Sequence, residues 1–375
     1  MSLFLLVFFL VYGGTHVYFF MKARGAFGFG PSIGVPLALF LALMAVAPVL
    51  VRITERHGWE FTARSLAWSG YLWMGLLFFF FSASLAADIC HLFLKGAGAL
   101  LRRDLSLLII GKRTAFGIAA AYAVLATLSA CVGAGDIRIR RIVIPTAKLP
   151  AAIPKLTIAQ ISDVHLGLIV REARLEKMLA KVREAEPDIV VSTGDLVDGQ
   201  INDLSALVKP LAELAPRYGK FAVTGNHEAY VGLGEALDFT RRGGFTVLRG
   251  AGTTVAGVVN IAGVDDSAIH PPPGTERRVL SGLPADRFTI LLKHRPRIDA
   301  DTAGLFDLQL SGHVHGGQLF PFGLLVRLSY PYMDGFYQLA KGSALSVSRG
   351  TGTWGPPLRF LAPPEVTVIE LIPLG

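Results

Sequence analysis

The chain has 375 residues, of which 52% are hydrophobic and only 17% charged; its mean hydropathy of +0.51 excludes both a disordered chain and a wholly soluble globular one. Two cysteines, Cys90 and Cys131, exclude a disulfide framework in the C-terminal part and leave the redox compartment open. The net charge of +8 is uneven: residues 1–135 carry ten Lys/Arg against four Asp/Glu and residues 136–375 twenty-six against twenty-four, so the basic excess reads as membrane-flanking charge rather than a polyanion-binding face.

In chain order, residues 2–20, 34–51, 66–87 and 114–132 approach the roughly 20 apolar residues that a bilayer-spanning helix needs. None carries Lys, Arg, Asp or Glu in its middle, which argues against an ion or proton pathway. The first stretch has no basic residues ahead of it and reads as a retained span rather than a signal peptide. Tyr12, Tyr18, Trp68, Tyr71 and Trp73 suit either an interfacial belt or helix contacts. His16, His91 and both cysteines read as structural. Seven basic residues fall on each side of the spans when Arg138, Arg140, Arg141 and Lys148 are included, so sidedness stays open. An even number of spans puts the N-terminus and the following domain on one face. Residues 102–113 either lie in the headgroup plane or extend the fourth span. Residues 137–144 alternate Ile/Val with Arg like a strand with one wet face. Pro145, Pro150 and Pro154 then punctuate the entry to a second domain, giving a division into 1–135 and 136–375.

That domain repeats one grammar: a short apolar, β-branched run ends at residues able to bind a divalent cation. Residues 156–162 lead into Asp163-Val-His165, residues 188–193 into Gly194-Asp195-Leu-Val-Asp198, and residues 221–224 into Gly225-Asn226-His227-Glu228. Residues 289–293 lead into His294, and residues 308–311 into Gly312-His313-Val-His315. Open α/β sheets bind ligands beyond the carboxyl ends of their strands. Helical periodicity over 171–185 and over 202–214, the latter capped by Asn202 or Asp203, completes strand–helix–strand units and predicts a layered α/β domain. Gly194, Gly225 and Gly312 each precede a candidate ligand, where a turn brings backbone close to an ion and glycine tolerates the dihedrals. Five of the six histidines after residue 135 fall in these strand-end motifs; His270 is the spare. Mixed carboxylate, amide and imidazole donors without thiolate suit Mn²⁺ first, then iron or Zn²⁺.

Asp-x-His, Gly-Asp-x-x-Asp, Gly-Asn-His-Glu, an isolated His and Gly-His-x-His, in this order, resemble the calcineurin-like metallophosphoesterase superfamily over about residues 155–370. Within it the tail, Gly312-His-Val-His-Gly-Gly-Gln318, then Val347-Ser-Arg-Gly350 and Pro363-Pro-Glu365, is similar to the bacterial membrane-associated branch with transmembrane metallophosphoesterase proteins. The resemblance implies a double β-sheet sandwich flanked by helices behind a four-helix transmembrane region, and a binuclear site of two divalent metal ions. By position, Asp163, His165 and His315 would hold the first ion, Asn226, His294 and His313 the second, and Asp195 would bridge them. His227 would face the substrate as proton donor, oriented by Asp198, with Glu228 in support. Protein phosphatases of the superfamily carry Arg after the second Asp of Gly-Asp-x-x-Asp; here Gly199 stands there, which lowers that reading. Arg295 and Arg349 are candidate phosphate contacts or ordinary ion-pairing residues.

The expected activity is that of a membrane-bound phosphoric ester hydrolase. Aromatic and aliphatic residues between 319 and 337 either cover the sandwich edge or admit an acyl chain. The first reading is hydrolysis of a phosphodiester or pyrophosphate in a lipid-linked substrate, with UDP-2,3-diacylglucosamine as its most specific form by resemblance. The rivals are a phosphodiesterase of soluble nucleotides anchored by its spans, and a non-catalytic membrane binding protein, which a complete ligand set disfavours. The near-neutral second domain offers no track for nucleic acid. Expected surroundings are the lipid bilayer, by resemblance a bacterial inner membrane.

Overall fold

Long apolar runs satisfy their backbone polar groups most simply as helix, and the first third of the chain does so four times. The computed structural model describes residues 2–199 and 201–374. Its first helices are α1 (Ser2–Phe27), α2 (Pro31–Arg56), α3 (Glu60–Leu101) and α4 (Lys112–Gly135). Four helices are thus long and apolar enough to cross a membrane. Each outruns its apolar stretch, and α3 most of all. Its 42 residues reach about 63 Å at ~1.5 Å per residue, twice the ~30 Å of a hydrocarbon core. Beyond residue 87, Asp88 of α3 pairs with Lys22 of α1 and accepts a hydrogen bond from Tyr18 Oη at 2.6 Å. Gly70 lets α3 approach α2, since a Cβ there would lie 2.9 Å from that of Ala47.

Several candidate belt aromatics serve as helix contacts instead. Trp73 Nε1 donates to His16 Nε2 at 3.0 Å, His16 Nδ1 donates to the Tyr12 carbonyl at 2.7 Å, and Tyr12 Oη donates to the Met44 carbonyl. His16 is therefore a satisfied neutral ring. A single 3₁₀ turn at Ser106–Leu108 precedes α4.

The chain divides into two units, Met1–Val132 with Gly355–Leu358, and Gly133–Trp354 with Arg359–Gly375. The second holds two six-stranded mixed sheets. One runs, edge to edge, Arg138–Thr146, Glu365–Pro373, Leu156–Ile161, Ile189–Ser192, Lys220–Ala222 and Thr246–Val247. The other runs Gly335–Gln338, Ala344–Val347, Leu308–Ser311, Phe288–Leu292, Val259–Gly263 and Ala251–Val255. Period-two alternation divides each strand between two cores. Leu156, Ile158, Ile189 and Val191 meet Ile290, Leu292, Leu308 and Leu310 between the sheets. Ala159, Ile161 and Val190 face outward onto α5 (Glu172–Glu184), whose Leu175, Met178, Leu179 and Val182 form one buried stripe. Each such side chain contributes about 1.5–3 kcal/mol on burial. The architecture is the α/β double-sheet sandwich flanked by helices.

The helix expected over 202–214 is instead a 3₁₀ segment, Ile201–Leu207, followed by a short α-helix, Val208–Ala212. Pro210 explains this: it has no N–H to give and is tolerated only in a first turn, so the α-helix starts just ahead of it. The side chains of Asn202 and Asp203, expected as caps, are not among those described.

Candidate metal centre

Strands Leu156–Ile161, Ile189–Ser192 and Lys220–Ala222 run parallel in one sheet, and Phe288–Leu292 and Leu308–Ser311 run parallel in the other. Each sheet thus delivers its loops at the carboxyl ends of parallel strands, three from the first and two from the second. The loops bring together Asp163, His165 and His315, then His165, Asp195 and His227, then Asp195, His294 and His313; in each trio one ligand atom per residue lies within 4.8 Å of the others. Asp195 Oδ2 is 3.2 Å from His294 Nε2 and 3.9 Å from His165 Nε2. His315 Nε2 lies 3.4 Å from Asp163 Oδ1 and 3.2 Å from His165 Nε2. His313 Nδ1 lies 3.2 Å from His294 Nε2. Asn226 opens the short helix Asn226–Val231 just ahead of His227, is buried, and its Oδ1 has no hydrogen-bond partner.

The backbone carries strain here. Asp163, His165, Asp195, His313 and His315 all adopt left-handed φ of 52–72°, five of the twelve non-glycine residues described with positive φ. Such conformations persist where the surroundings over-determine them, typically at functional sites. The glycines act mostly otherwise than expected. Only Gly194 has positive φ, at 96°, whereas a Cβ at Gly225 or Gly312 would strike the carboxylate of Asp195 or Asp163. Their service is room.

A second set of contacts fixes the loops. The carboxylate of Glu228 accepts from the N–H groups of Gly225 at 2.6 Å, Leu196 at 2.8 Å and Asp195 at 3.0 Å, stapling two of the loops. Asp195 accepts from the His227 N–H at 2.8 Å, and both Asp163 oxygens accept from the His313 N–H at 3.0 Å. Asp198 Oδ1 is 3.1 Å from His227 Nδ1. His294 Nδ1 donates to the Thr193 carbonyl at 2.8 Å, which turns Nε2 inward. Arg359, 1% exposed, donates to the carbonyls of Gly352, His315 and Arg349 and lies against His315 Nδ1.

Charge follows position. Burial alone would lower His227, but Asp195, the Asp198 hydrogen bond and Glu228 raise it to about 9. Against the same burial, Asp195 raises His294 to about 10. Burial and the neighbouring imidazole His227 push His165 down to about 4, and burial with His294 pushes His313 down to about 3. Burial and the Arg359 guanidinium hold His315 well below its usual value. Burial raises Asp163, whereas His294 and His227 overcome burial to hold Asp195 low. Three neutral imidazoles and an ionised carboxylate thus converge, as cation binding requires. The paired inward nitrogens and the orphaned Asn226 oxygen fit a divalent cation pair, and a cation there would displace the proton that Asp195 keeps on His294.

Arg295 is held by Asp266 at 2.8 and 3.1 Å, and Arg349 pairs with Asp334 at 3.0 Å and with Glu365 at 3.7 Å. Both have the ion-pairing role rather than a free guanidinium. Sequence reasoning passed over Arg359 and Tyr330. The sign of Arg359 was a lone cation in the apolar run Pro356-Pro-Leu-Arg-Phe-Leu361. Tyr330, counted among the aromatics after residue 319, lies 2.9 Å from His313 Nε2. Of that stretch, Phe320, Phe322, Leu324, Leu325 and Leu328 are 44–83% exposed, whereas Tyr330, Tyr332, Phe336 and Tyr337 are half-buried.

Residues 156–317 match the family model described as calcineurin-like phosphoesterase. A metallophosphoesterase from Aquifex aeolicus (strain VF5) is 45% identical over 241 residues, covering 63% of this chain and 92% of that protein. A Campylobacter jejuni metallophosphoesterase is 37% identical over 60% of this chain, and the match spans 61% of its length. A Danio rerio "transmembrane protein with metallophosphoesterase domain" is 32% identical over 61% of this chain and 56% of that one. The solved 5'-nucleotidase precursor from Thermus thermophilus aligns at 19% identity over 58% of this chain and 54% of that one, with a TM-score of 0.35, too low to bear on substrate.

Proposed function

The chain belongs to the calcineurin-like metallophosphoesterase family, and on that premise we propose that this phosphoesterase-type hydrolase works through two cations held by Asp163, His165 and His315 on one side and Asn226, His294 and His313 on the other, with Asp195 between. The observation that carries the reading is the convergence of ligand atoms on Asp195. When bound, such a pair lowers the pKa of a water and neutralises charge at phosphorus during in-line displacement. Mn²⁺ is the first choice for the mixed donors, with iron or Zn²⁺ behind it. Asp195 is held ready by the His227 N–H. His227, its Nδ1 engaged by Asp198, donates a proton to the leaving oxygen. Arg359 and Glu228 keep the ligand loops in register.

The substrate we propose is a lipid-linked phosphodiester or pyrophosphate, of which UDP-2,3-diacylglucosamine is the most specific form. Its support is the exposed apolar run from Phe320 to Leu328, soon after His313 and His315, together with four helices fit to cross a bilayer. Soluble nucleotides are the second reading, favoured by two exposed rings beside His227: Tyr230 and Trp354 have centroids 5.5 and 6.0 Å from it.

The loop charges support an orientation. Arg138, Arg140, Arg141 and Lys148 belong to the second unit rather than to a loop between two spans. The loops between spans carry Arg52, Arg56 and Arg64 on one side and Lys22, Arg24, Lys95, Arg102, Arg103, Lys112 and Arg113 on the other. The richer side is the cytoplasmic one, so the phosphoesterase unit faces away from the cytoplasm.

The test is a phosphoester panel in detergent with added Mn²⁺. Asp195→Asn abolishes metal-dependent turnover of bis(p-nitrophenyl) phosphate, and the wild type turns over a lipid-linked pyrophosphate faster than any soluble nucleotide. Retained activity in the variant overturns the assignment of Asp195; faster turnover of cyclic nucleotides than of every lipid tested overturns the substrate class.

A further inference from the structure

His313 meets the cluster through Nδ1, 3.2 Å from His294 Nε2. A neutral imidazole offers a lone pair at Nδ1 only when Nε2 carries the proton, and that proton needs an acceptor. Tyr330 Oη lies 2.9 Å from Nε2. A phenol can donate or accept there, and a cation taking the Nδ1 lone pair would decide between the two, because the proton must then sit on Nε2 with Tyr330 Oη as its acceptor. Arg295 Nη1, which has no lone pair, donates to the same oxygen at 3.3 Å. Arg295 cannot swing away easily, because Asp266 holds its Nε at 2.8 Å and its Nη2 at 3.1 Å, and Asp266 is only 4% exposed. The Arg297 guanidinium sits 5.2 Å from the Tyr330 ring centroid and helps fix the ring.

We propose that Tyr330 is a positioning residue: its oxygen, fixed by Arg295 and Asp266, is the acceptor that His313 Nε2–H needs when the Nδ1 lone pair faces a cation, so that Tyr330 supports occupancy of the second cation position. The inference rests on His313 being a ligand. In the opposite arrangement, with Tyr330 donating to Nε2, the Nδ1 proton would point at His294 and exclude a cation. Removing the phenol oxygen leaves the tautomer unselected and the ring free to turn over. Partners that orient a metal-binding histidine in this way typically account for 10- to 100-fold in metal affinity.

The experiment uses the full chain, stripped of metal in detergent and titrated with Mn²⁺, with bound ions counted calorimetrically and the spin spectrum recorded. The wild type should bind two ions and give an exchange-coupled spectrum. Tyr330→Phe should weaken one binding event by about 10-fold or more, and at limiting Mn²⁺ give the six-line spectrum of a single ion, with the thermal midpoint unchanged. His313→Ala serves as the reference for loss of that position. If the wild type binds two ions and His313→Ala binds one, but Tyr330→Phe matches the wild type in both stoichiometry and affinity, the tautomer role is wrong and the two-cation reading survives. If the wild type itself binds fewer than two, or His313→Ala still binds two, the ligand reading fails first.

Discussion

His227 sits between two possible occupations, since it lies within ligand distance of His165 and Asp195 yet has its Nδ1 engaged by Asp198. The proton-donor role separates from the ligand role by leaving group. His227→Ala should slow hydrolysis of an alkyl phosphodiester by about a hundred- to ten-thousand-fold, the range of general acid catalysis. It should slow bis(p-nitrophenyl) phosphate far less, because p-nitrophenolate departs without a proton. The number of bound cations should stay the same. Matching losses on both substrates, or a lost cation, would place His227 among the ligands instead. At this scale the sequence was most legible where chemistry and position coincide: Asp163, His165, Asp195, Asn226, His227, Asp198, His294, His313 and His315 all lie within six residues past the carboxyl end of one of the five strands. Tyr330 and Arg359 were not legible, because their partners lie 17 and 44 positions away in the chain and only folding reveals the pairing.

Among the elements, strands were readable from short β-branched runs with period two, and α5 from its apolar stripe. Boundaries and dihedrals were less so. Apolar composition marks where a helix is greasy, not where it stops, so α3 extends 14 residues past residue 87, into a segment where Asp88 finds Lys22 and Tyr18. Pro210 interrupts a stretch whose apolar spacing reads as one helix, because its missing N–H overrides that period. The turn glycines were rightly placed but two served another purpose. The left-handed dihedrals fall on the acidic and histidine residues themselves, while Gly225 and Gly312 remove a Cβ that would meet a carboxylate. Glu228 shows how such strained turns are kept. Four backbone N–H groups converge on one buried carboxylate, and each charge-assisted bond of this kind outweighs a neutral one.

For the whole molecule, composition announced an apolar third and an α/β remainder, but counting basic residues without the fold left the sides even. The proposed orientation counts only the loops between spans and sets aside Arg138, Arg140, Arg141 and Lys148 with the second unit. An impermeant thiol reagent checks the outcome in a background where Cys90 and Cys131 are replaced. Leu328→Cys, at a position 83% exposed, should label in intact cells, whereas Leu107→Cys, at one 96% exposed, should label only after permeabilisation. The reverse pattern would put the phosphoesterase unit in the cytoplasm. The most direct trial of the central claim is anomalous scattering at the manganese edge from crystals grown with Mn²⁺. The account predicts two peaks about 3.5–4 Å apart, both beside Asp195, one among Asp163, His165 and His315 and the other among Asn226, His294 and His313. A lone peak, or peaks that leave Asp195 untouched, would contradict it.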